Sequence, residues 1–347
     1  MKSVCFVEVN QVAMLDLPDP EIEQPTDVLI RATLSGLCGS DLHPFWGREA
    51  GLEKNTVMGH EVVGEVVAIG NDVRNFSVGD MVFTPFSTSC GKCYFCKNGL
   101  PSRCHFGQLF GWRQNGAGLQ GCQSEFVRIP LADGTLLKKP SGLSDVSALL
   151  LGDNFSTGYY CAEMANIQPG GCYAVIGCGT VGLLCIIAAK KMGAETIFAF
   201  DPVHERRKSA ESLGAMGFAP NQDAVQAIME QTDGRGVDSV MELVGIPDAQ
   251  KLAYQLIRPG GTMSVIGCHC TPNFAFSPVD AYDKNLTYRT GRCPARHYME
   301  KLTPQVADGE FELDDFVTHF FYADQCIEAY DVFSKRQDGC LKAAFRF

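Results

Sequence analysis

A glycine-rich turn between an apolar strand and an apolar helix limits the fold of this chain more than any other feature. The stretch CYAVIGCGTVGLLCIIAAKKMGA has this strand–turn–helix pattern. Gly177 permits a tight turn, Gly179 lets a pyrophosphate approach the backbone, and Gly182 allows the helix to pack on the strand. Phosphates bind well at a helix N-terminus, where Thr180 and Val181 stand. The pattern predicts a dinucleotide site at these five residues.

The next strand, TIFAFD, ends in a carboxylate. Asp201 follows the turn by about 20 residues, the spacing at which a carboxylate accepts hydrogen bonds from the ribose of the dinucleotide. The same carboxylate repels a 2′-phosphate, which favours NAD over NADP. His204, Arg206 and Arg207 come soon after it. An Arg near this position, such as Arg206, can accept a 2′-phosphate and so favour NADP; the alternative is that these residues only begin a solvated helix, and both interpretations stay open.

Strand and helix patterns alternate beyond the turn. VDSVMELVG at 237–245 and TMSVIGC at 262–268 are typical of strands, and a helix is predicted around 248–257. This alternation indicates an α/β chain with a doubly wound parallel sheet. We therefore predict a dinucleotide-binding domain over residues 153–290.

The N-terminal half of the chain follows a different pattern. Short strand-like runs such as DVLIRATLSG and EVVGEVVAIG are separated by Gly, Pro and Asn, which predicts a β-rich, barrel-like domain over residues 1–152. Residues 291–347 contain the short strands FVTHFF and CLKAAFRF, with a helix predicted at 323–334. We expect this last segment to return to the first domain.

Four cysteines crowd one short loop, CGKCYFCKNGLPSRC. Four thiolates can surround one Zn²⁺ tetrahedrally, and a closed shell of four sulfurs is typical of a structural zinc site. One alternative is an iron–sulfur cluster, although nothing else in the sequence suggests electron transfer. The other is four unrelated reduced cysteines. The spacing favours zinc bound by the loop residues Cys90, Cys93, Cys96 and Cys104.

A second set of metal-ligating residues surrounds the motifs GLCGSDLH, GHEVVGEVVAIG and GDNFSTGY. Cys38 and His60 offer a thiolate and an imidazole, which catalytic zinc favours, and a carboxylate would complete the protein ligands. Glu61 and Asp153 are the candidate carboxylates. Each residue alone has an ordinary structural explanation, as a buried thiol, a packed imidazole or a helix cap. Their combination favours a metal site.

Charge and cysteine content exclude several classes of protein. The net charge of −11 argues against a nucleic-acid or anionic-membrane partner. No apolar run reaches the length of a membrane span, and the N-terminus lacks the pattern of a secretory signal. Sixteen cysteines without such a signal indicate a reducing compartment, so we expect a cytoplasmic protein.

In their order along the chain, these motifs, together with SVGDMVF, GCGTVG and MELVG, resemble those of the zinc-dependent medium-chain alcohol dehydrogenase superfamily. The resemblance covers essentially the whole chain. It implies a GroES-like catalytic domain followed by a Rossmann domain. The segment GCQSEFVRIPLADGTLLKKP and the Asp in GDNFSTGYY are most similar to the branch of glutathione-independent formaldehyde dehydrogenases and related short-chain alcohol dehydrogenases. Cys122 and Tyr160 depart from that branch.

The resemblance also implies how two zinc ions would be held. Cys38, His60 and Asp153 match the ligands of the catalytic zinc, whose fourth position is left to water or substrate. Glu61 matches a nearby carboxylate that either supports the site or exchanges as a ligand. The four cysteines of the loop match the structural zinc lobe, which takes no part in the chemistry.

The reaction implied by the resemblance is hydride transfer between an alcohol, or the corresponding aldehyde or ketone, and NAD, by way of a zinc-bound alkoxide. Ser40 matches the hydroxyl that passes on the substrate proton, and His43 matches a residue that carries it toward solvent. Thr157 matches a position beside the nicotinamide. The family further implies a small-molecule substrate and a homodimer or homotetramer.

Two other functions remain open from the sequence. The first is an aldehyde dismutase or carbonyl reductase that retains its NAD. The second, from a different class, is a catalytically silent NAD-binding protein with a structural or regulatory role. Intact Cys38, His60 and Asp153 argue against a silent protein, because it would have no chemical need for all three.

Overall fold

The computed structural model describes residues Met1–Phe347, which divide into two compact units. The first unit contains Met1–Ser156 and Pro294–Phe347, and the second contains Thr157–Cys293. The predicted domain boundaries, after residues 152 and 290, lie a few residues before these divisions. Asp153, which the prediction placed in the dinucleotide domain, belongs to the first unit.

The first unit is rich in short strands. Its strands are β1 (Lys2–Glu8), β2 (Gln11–Asp16), β3 (Val28–Leu37), β4 (Val62–Ile69), β5 (Met81–Phe83), β6 (Trp112–Gln114), β7 (Ala117–Leu119), β8 (Phe126–Ile129), β9 (Leu137–Lys138), β16 (His319–Tyr322) and β17 (Ala343–Arg346). Its helices are α1 (Leu42–Phe45), α2 (Tyr94–Lys97), α3 (Ala132–Thr135), α4 (Asp145–Gly152), α11 (Ala295–Ala307) and α12 (Cys326–Lys335).

A seven-stranded sheet forms the frame of this unit. Its strands follow the order β16-β17-β3-β4-β5-β9, and β8 also pairs with β3. Strand β3 alternates buried and more exposed residues along its first half, because successive side chains of a strand point to opposite faces. Strand β17, near the C-terminus, pairs antiparallel with β3, so the last segment of the chain joins this sheet.

The register of three neighbouring strands brings distant residues together. Ser35 of β3 pairs with Val62 of β4, and Leu37 of β3 pairs with Ala343 of β17. The end of β3 therefore lies beside the starts of β4 and β17. The residues just beyond these strand ends meet at one place in the first unit.

The second unit contains a parallel sheet covered by helices. Its strands are β10 (Cys172–Ile176), β11 (Thr196–Phe200), β12 (Met216–Phe218), β13 (Val237–Glu242), β14 (Ile257–Val265) and β15 (Thr287–Thr290). Its helices are α6 (Thr180–Lys191), α7 (His204–Ser212), α8 (Gln222–Gln231), α9 (Pro247–Leu256) and α10 (Pro278–Asp283), and α5 (Asn154–Met164) begins in the first unit and continues into this one.

The strand order β12-β11-β10-β13-β14-β15 is that of a doubly wound nucleotide-binding sheet. Strand β10 is buried along its whole length, as expected for a central parallel strand with helices on both faces. The predicted α/β fold class is confirmed. The helix predicted at 323–334 begins later, because residues Ala323–Gln325 form a separate 3₁₀ turn before α12. No helix is both long enough and apolar enough to cross a membrane.

Candidate metal and cofactor sites

Strand ends deliver most of the donors of the first candidate metal site. Cys38 directly follows β3, and His60 and Glu61 directly precede β4. Because the end of β3 lies beside the start of β4, these three side chains converge. Asp153 joins them from the junction between α4 and α5. The donor atoms of all four residues lie within 4.8 Å of one another.

The geometry of this cluster fits a tetrahedral metal ion. Cys38 Sγ lies 3.4 Å from Asp153 Oδ2, which lies 3.5 Å from His60 Nε2. Tetrahedral zinc, with bonds of about 2.3 Å to sulfur and about 2.1 Å to nitrogen or oxygen, holds such donors roughly 3.4–3.6 Å apart. One sulfur, one imidazole and one or two carboxylates make a donor set that zinc accepts. The residues therefore fit the metal that the sequence predicted.

Asp41 fixes the orientation of this cluster and was missed in the sequence. Its Oδ1 lies 3.0 Å from His60 Nδ1, and its Oδ2 accepts a 2.8 Å hydrogen bond from the backbone N–H of Cys38. A carboxylate on one ring nitrogen leaves the other nitrogen to face the metal and raises its basicity. Its position three residues after Cys38 was the available signal.

The buried donors strongly affect one another's protonation. Burial and the Asp153 carboxylate raise the pKa of the Cys38 thiol. Burial alone would lower the pKa of His60, but Asp41 and hydrogen bonds to Asp153 raise it well above its usual value. Burial opposes ionisation of Asp153, yet His60 holds its pKa below the usual range. A bound metal would displace the protons from the thiol and the imidazole.

Lys342 supplies a buried positive charge that the sequence analysis did not foresee. Its Nζ donates a 2.6 Å hydrogen bond to Glu61 Oε1, and the two side chains are 1% and 0% exposed. Burial alone would lower the pKa of Lys342, but Glu61 and Cys38 raise it, so the lysine is charged. Burial raises the pKa of Glu61 to about 6, against the opposing effect of Lys342. Lys342 arrives here because it directly precedes β17.

Asn154 joins the carboxylates of the cluster. Its Nδ2 donates to Asp153 Oδ2 at 3.0 Å and to Glu61 Oε1 at 3.1 Å. The other oxygen of Glu61, Oε2, has no hydrogen-bond partner and packs against the backbone of Gly36. A β-carbon at Gly36 would lie 1.9 Å from this oxygen, so only glycine leaves room for Glu61 as it stands.

The two residues of the predicted proton path lie in the segment that directly follows β3. Ser40 Oγ lies 3.3 Å from Cys38 Sγ and 3.4 Å from His60 Nε2, so the hydroxyl borders the cluster. His43 lies on the short helix α1. Burial and the charge of Arg48 lower the pKa of His43, so its ring is neutral at neutral pH.

The four-cysteine loop forms the second candidate metal site. The four sulfurs lie within 4.8 Å of one another, with Cys93 Sγ 3.5 Å from Cys96 Sγ and 3.9 Å from Cys104 Sγ. Tetrahedral zinc holds four sulfurs roughly 3.8 Å apart. Backbone N–H groups of Cys90 and Phe106 also point at Cys104 Sγ. Zinc fits this set of four sulfurs, and the shell leaves no position open.

In the second unit, the glycine turn has the shape that the sequence predicted. Gly177 has a φ of +94°, which favours glycine. A β-carbon at Gly182 would lie 1.8 Å from the carbonyl oxygen of Gly177, so α6 packs against the turn only because residue 182 has no side chain. Thr180 and Val181 form the first turn of α6. The backbone N–H groups at this helix end favour a phosphate.

Asp201 directly follows β11 and is buried near the glycine turn. Its Oδ2 accepts a 2.9 Å hydrogen bond from the Cys178 N–H, and its Oδ1 accepts a 2.8 Å bond from the Val203 N–H. Arg206 Nη1 lies 4.0 Å from Asp201 Oδ2 and would lie 3.6 Å from a β-carbon at Gly179. Arg206 therefore lies against the turn rather than in open solvent. Thr157 lies on α5, and its position beside the nicotinamide stays a prediction.

Comparisons with known proteins agree with this arrangement. A family model described as alcohol dehydrogenase GroES-like domain matches residues 24–141, and one described as zinc-binding dehydrogenase matches residues 180–308. Zinc-type alcohol dehydrogenase B of Aspergillus flavus is 38% identical over an alignment of 347 residues, which covers 96% of this chain and 79% of the relative.

Solved structures show the same fold. The alcohol dehydrogenase TADH from Thermus sp. ATN1 has a TM-score of 0.92 and 33% identity, and the match covers 100% of this chain and 99% of that one. A putative zinc-binding dehydrogenase from Sinorhizobium meliloti, solved with NADP, has a TM-score of 0.83 and 25% identity over 100% of this chain and 99% of its own.

The names of these relatives do not favour a dismutase, a carbonyl reductase or a silent binding protein. None of them singles out the formaldehyde dehydrogenase branch, which stays a prediction. Identity over nearly the whole chain and the two matching family models lead to one conclusion. The chain belongs to the zinc-dependent medium-chain alcohol dehydrogenase superfamily and is a zinc-dependent oxidoreductase that acts on alcohols.

Proposed function

We propose that this protein transfers a hydride between a small-molecule alcohol and NAD, with one catalytic and one structural zinc in each chain. The observation that carries the proposal is the convergence of Cys38, His60, Glu61 and Asp153, whose donor atoms lie within 4.8 Å of one another. Their separations fit tetrahedral zinc, and the four residues come from three separate segments of the sequence. The four cysteines of the loop 90–104 form a separate candidate site for the structural zinc. The cluster around Cys38 is therefore the candidate for the catalytic zinc.

In this site, Cys38, His60 and Asp153 are the proposed zinc ligands. Bound zinc would act as a Lewis acid that lowers the pKa of an alcohol oxygen, so that hydride loss from the neighbouring carbon becomes easier. Asp41 holds the His60 ring so that Nε2 faces the donors. Lys342 and Asn154 both donate to Glu61 Oε1, which keeps this carboxylate beside the three ligands.

The proton of the alcohol leaves through residues of the segment that follows β3. The Ser40 hydroxyl borders both Cys38 Sγ and His60 Nε2, so it is placed to accept a proton released at the centre of the cluster. The neutral ring of His43 can then accept the proton, because burial and Arg48 lower its pKa. A general base with this protonation state works near neutral pH.

NAD is the proposed cofactor, and NADP is the less favoured one. The glycine turn and the N-terminal end of α6 offer backbone N–H groups to a pyrophosphate. Asp201, which directly follows β11, is the proposed partner of the ribose hydroxyls, and its charge opposes a 2′-phosphate. Arg206 lies against the glycine turn and would contact the pyrophosphate of the dinucleotide. A putative zinc-binding dehydrogenase of the same fold was solved with NADP, so the test below compares both cofactors.

The compartment and the assembly are also proposals. The chain has sixteen cysteines, four of which form the proposed structural zinc set, and this usage favours a reducing, cytoplasmic compartment. The family resemblance favours a homodimer or homotetramer, and light scattering on the purified protein would measure the mass of the assembly.

A substrate panel tests the proposal. Formaldehyde hydrate, short alkanols, diols, polyols and aromatic alcohols are each mixed with NAD or NADP, and the absorbance of the reduced nicotinamide is followed before and after chelation. We expect NADH formation with at least one class and its loss after chelation. Asp201→Ala should weaken the preference for NAD. Turnover that survives complete removal of zinc, or turnover with no nicotinamide, would reject the mechanism.

A further inference from the structure

Two cysteines differ from the other fourteen in their exposure. Cys268 and Cys270 are the exposed ones, whereas the remaining cysteines are buried or half-buried. They are separated by one residue in the loop GCHC that follows β14. Neither belongs to the two zinc sites proposed above. Solvent-exposed thiols are the ones that small oxidants reach first.

The two thiols also lie close together. Their sulfurs are within 4.8 Å of each other. His269, between them, is held in place by a 3.0 Å contact from its Nε2 to Glu242 Oε2. The other oxygen of Glu242 accepts hydrogen bonds from the N–H groups of Val244 and Gly245, at 2.7 and 2.8 Å. The middle of the loop is therefore anchored, and a thiol stands on each side of the anchor.

The loop occupies the edge of the sheet that the dinucleotide would use. Ligands of such sheets bind outside the carboxyl ends of the strands, where the order reverses, here between β10 and β13. The GCHC loop leaves the carboxyl end of β14, the next strand along. It touches the loop after β13, because a β-carbon at Gly267 would lie 2.1 Å from the Gly245 nitrogen. A change in the GCHC loop is thus passed along this edge.

We propose that Cys268 and Cys270 form a dithiol that hydroperoxides oxidise to a disulfide, and that this disulfide weakens dinucleotide binding. The thiolate of one cysteine attacks the peroxide and becomes a sulfenic acid, while the peroxide leaves as water or an alcohol. The second thiol then displaces the hydroxyl group from that sulfur, which forms the disulfide and releases water. The peroxide is the oxidant of both sulfurs, and a small dithiol restores them.

Closure must reshape the loop. A disulfide brings its sulfurs to about 2.05 Å, so the residues on either side of the anchored His269 have to move. The anchor on Glu242 transfers that movement to the backbone N–H groups of Val244 and Gly245. The effect on the cofactor rests on the proposed dinucleotide site. The formation of the disulfide does not.

Peptide mass spectrometry on the purified full-length protein tests the first part. Trypsin should release residues 252–284 as one peptide, because Arg258 precedes Pro259, and Cys268 and Cys270 are its only cysteines. After treatment with hydrogen peroxide and blocking of the remaining thiols, we expect this peptide to lose two hydrogen atoms, reversibly with dithiothreitol. Cys268→Ser should instead leave a sulfenic acid that dimedone traps. If both thiols remain open to alkylation after peroxide, the proposal is wrong.

Titration with NADH tests the second part. Peroxide should lower the affinity of the wild-type protein roughly fivefold or more, the lower range of coupling between sites, and dithiothreitol should restore it. The double variant Cys268→Ser/Cys270→Ser keeps every zinc-site cysteine, so its affinity should not change with peroxide. An equal loss in this variant, or a disulfide without any loss, would overturn the link to the cofactor. A reduced protein that binds no NADH would instead refute the proposed function and leave the mass result to decide the dithiol.

Discussion

Removal of the buried charge of Lys342 should destabilise the first unit strongly. The Lys342 ammonium and the Glu61 carboxylate are 2.6 Å apart and almost completely inaccessible to solvent. In Lys342→Met, the carboxylate keeps its place among Cys38, His60 and Asp153 but loses its positive partner. Breaking a buried ion pair in this way costs about 3–5 kcal/mol, because one charge stays buried without compensation.

Urea unfolding followed by tryptophan fluorescence measures this cost. The only two tryptophans, Trp46 and Trp112, both lie in the first unit, so the signal reports on that unit alone. With an m-value of about 3 kcal/mol/M, a loss of 3 kcal/mol lowers the urea midpoint by about 1 M. Lys335→Met is the matched control, because Lys335 pairs with Asp331 on the surface of α12. Its cost should stay below about 1 kcal/mol.

A double-mutant cycle separates the ion pair from a simple loss of packing. Lys342→Met/Glu61→Gln removes both charges and should be less destabilised than the sum of the two single variants, by about 2 kcal/mol or more. If the two effects add to within about 0.5 kcal/mol, the charges do not interact as the structure indicates. The charge of Lys342 would then not be what holds Glu61 in place.

Substitutions at three glycines give further predictions. Gly36→Ala should cost about 1–3 kcal/mol of stability and lower turnover, because the new methyl would lie 1.9 Å from Glu61 Oε2. Gly39→Ala is the control, because its β-carbon would have nothing within 4 Å. This variant should be close to wild type in the same denaturation and activity assays. Gly182→Ala should weaken NADH binding in a fluorescence titration without changing the zinc content, because its β-carbon would lie 1.8 Å from the carbonyl oxygen of Gly177. An unchanged affinity for NADH would mean that the turn does not hold the cofactor.

The parts of this structure that depend on local sequence could be predicted. The strand–turn–helix at Gly177–Gly182 and the cysteine loop are each formed by neighbours in the chain, so their spacing alone predicted their shape. The fold class and the superfamily are confirmed by the structure and the comparisons. The ligand roles and the preference for NAD stay predictions.

The parts that depend on strand register could not be predicted from spacing. Lys342 meets Glu61 because β17 pairs with β3 beside β4, and no local pattern fixes that pairing. A lysine in front of the apolar strand AAFR was the one available hint. Asn154 and Asp41 act through side-chain hydrogen bonds whose partners become clear only when the loops are folded.

Zinc content measured together with turnover shows whether Cys38, His60 and Asp153 hold the catalytic zinc. The wild-type protein should contain two zinc ions per chain. Cys38→Ser should contain one and lose turnover while it still binds NADH, because this variant lacks a ligand of the proposed catalytic site. Cys96→Ser should also contain one, with lower thermal stability and turnover retained at low temperature. A Cys38→Ser protein that keeps two zinc ions and full turnover would contradict the assignment of Cys38, His60 and Asp153 as the catalytic zinc site.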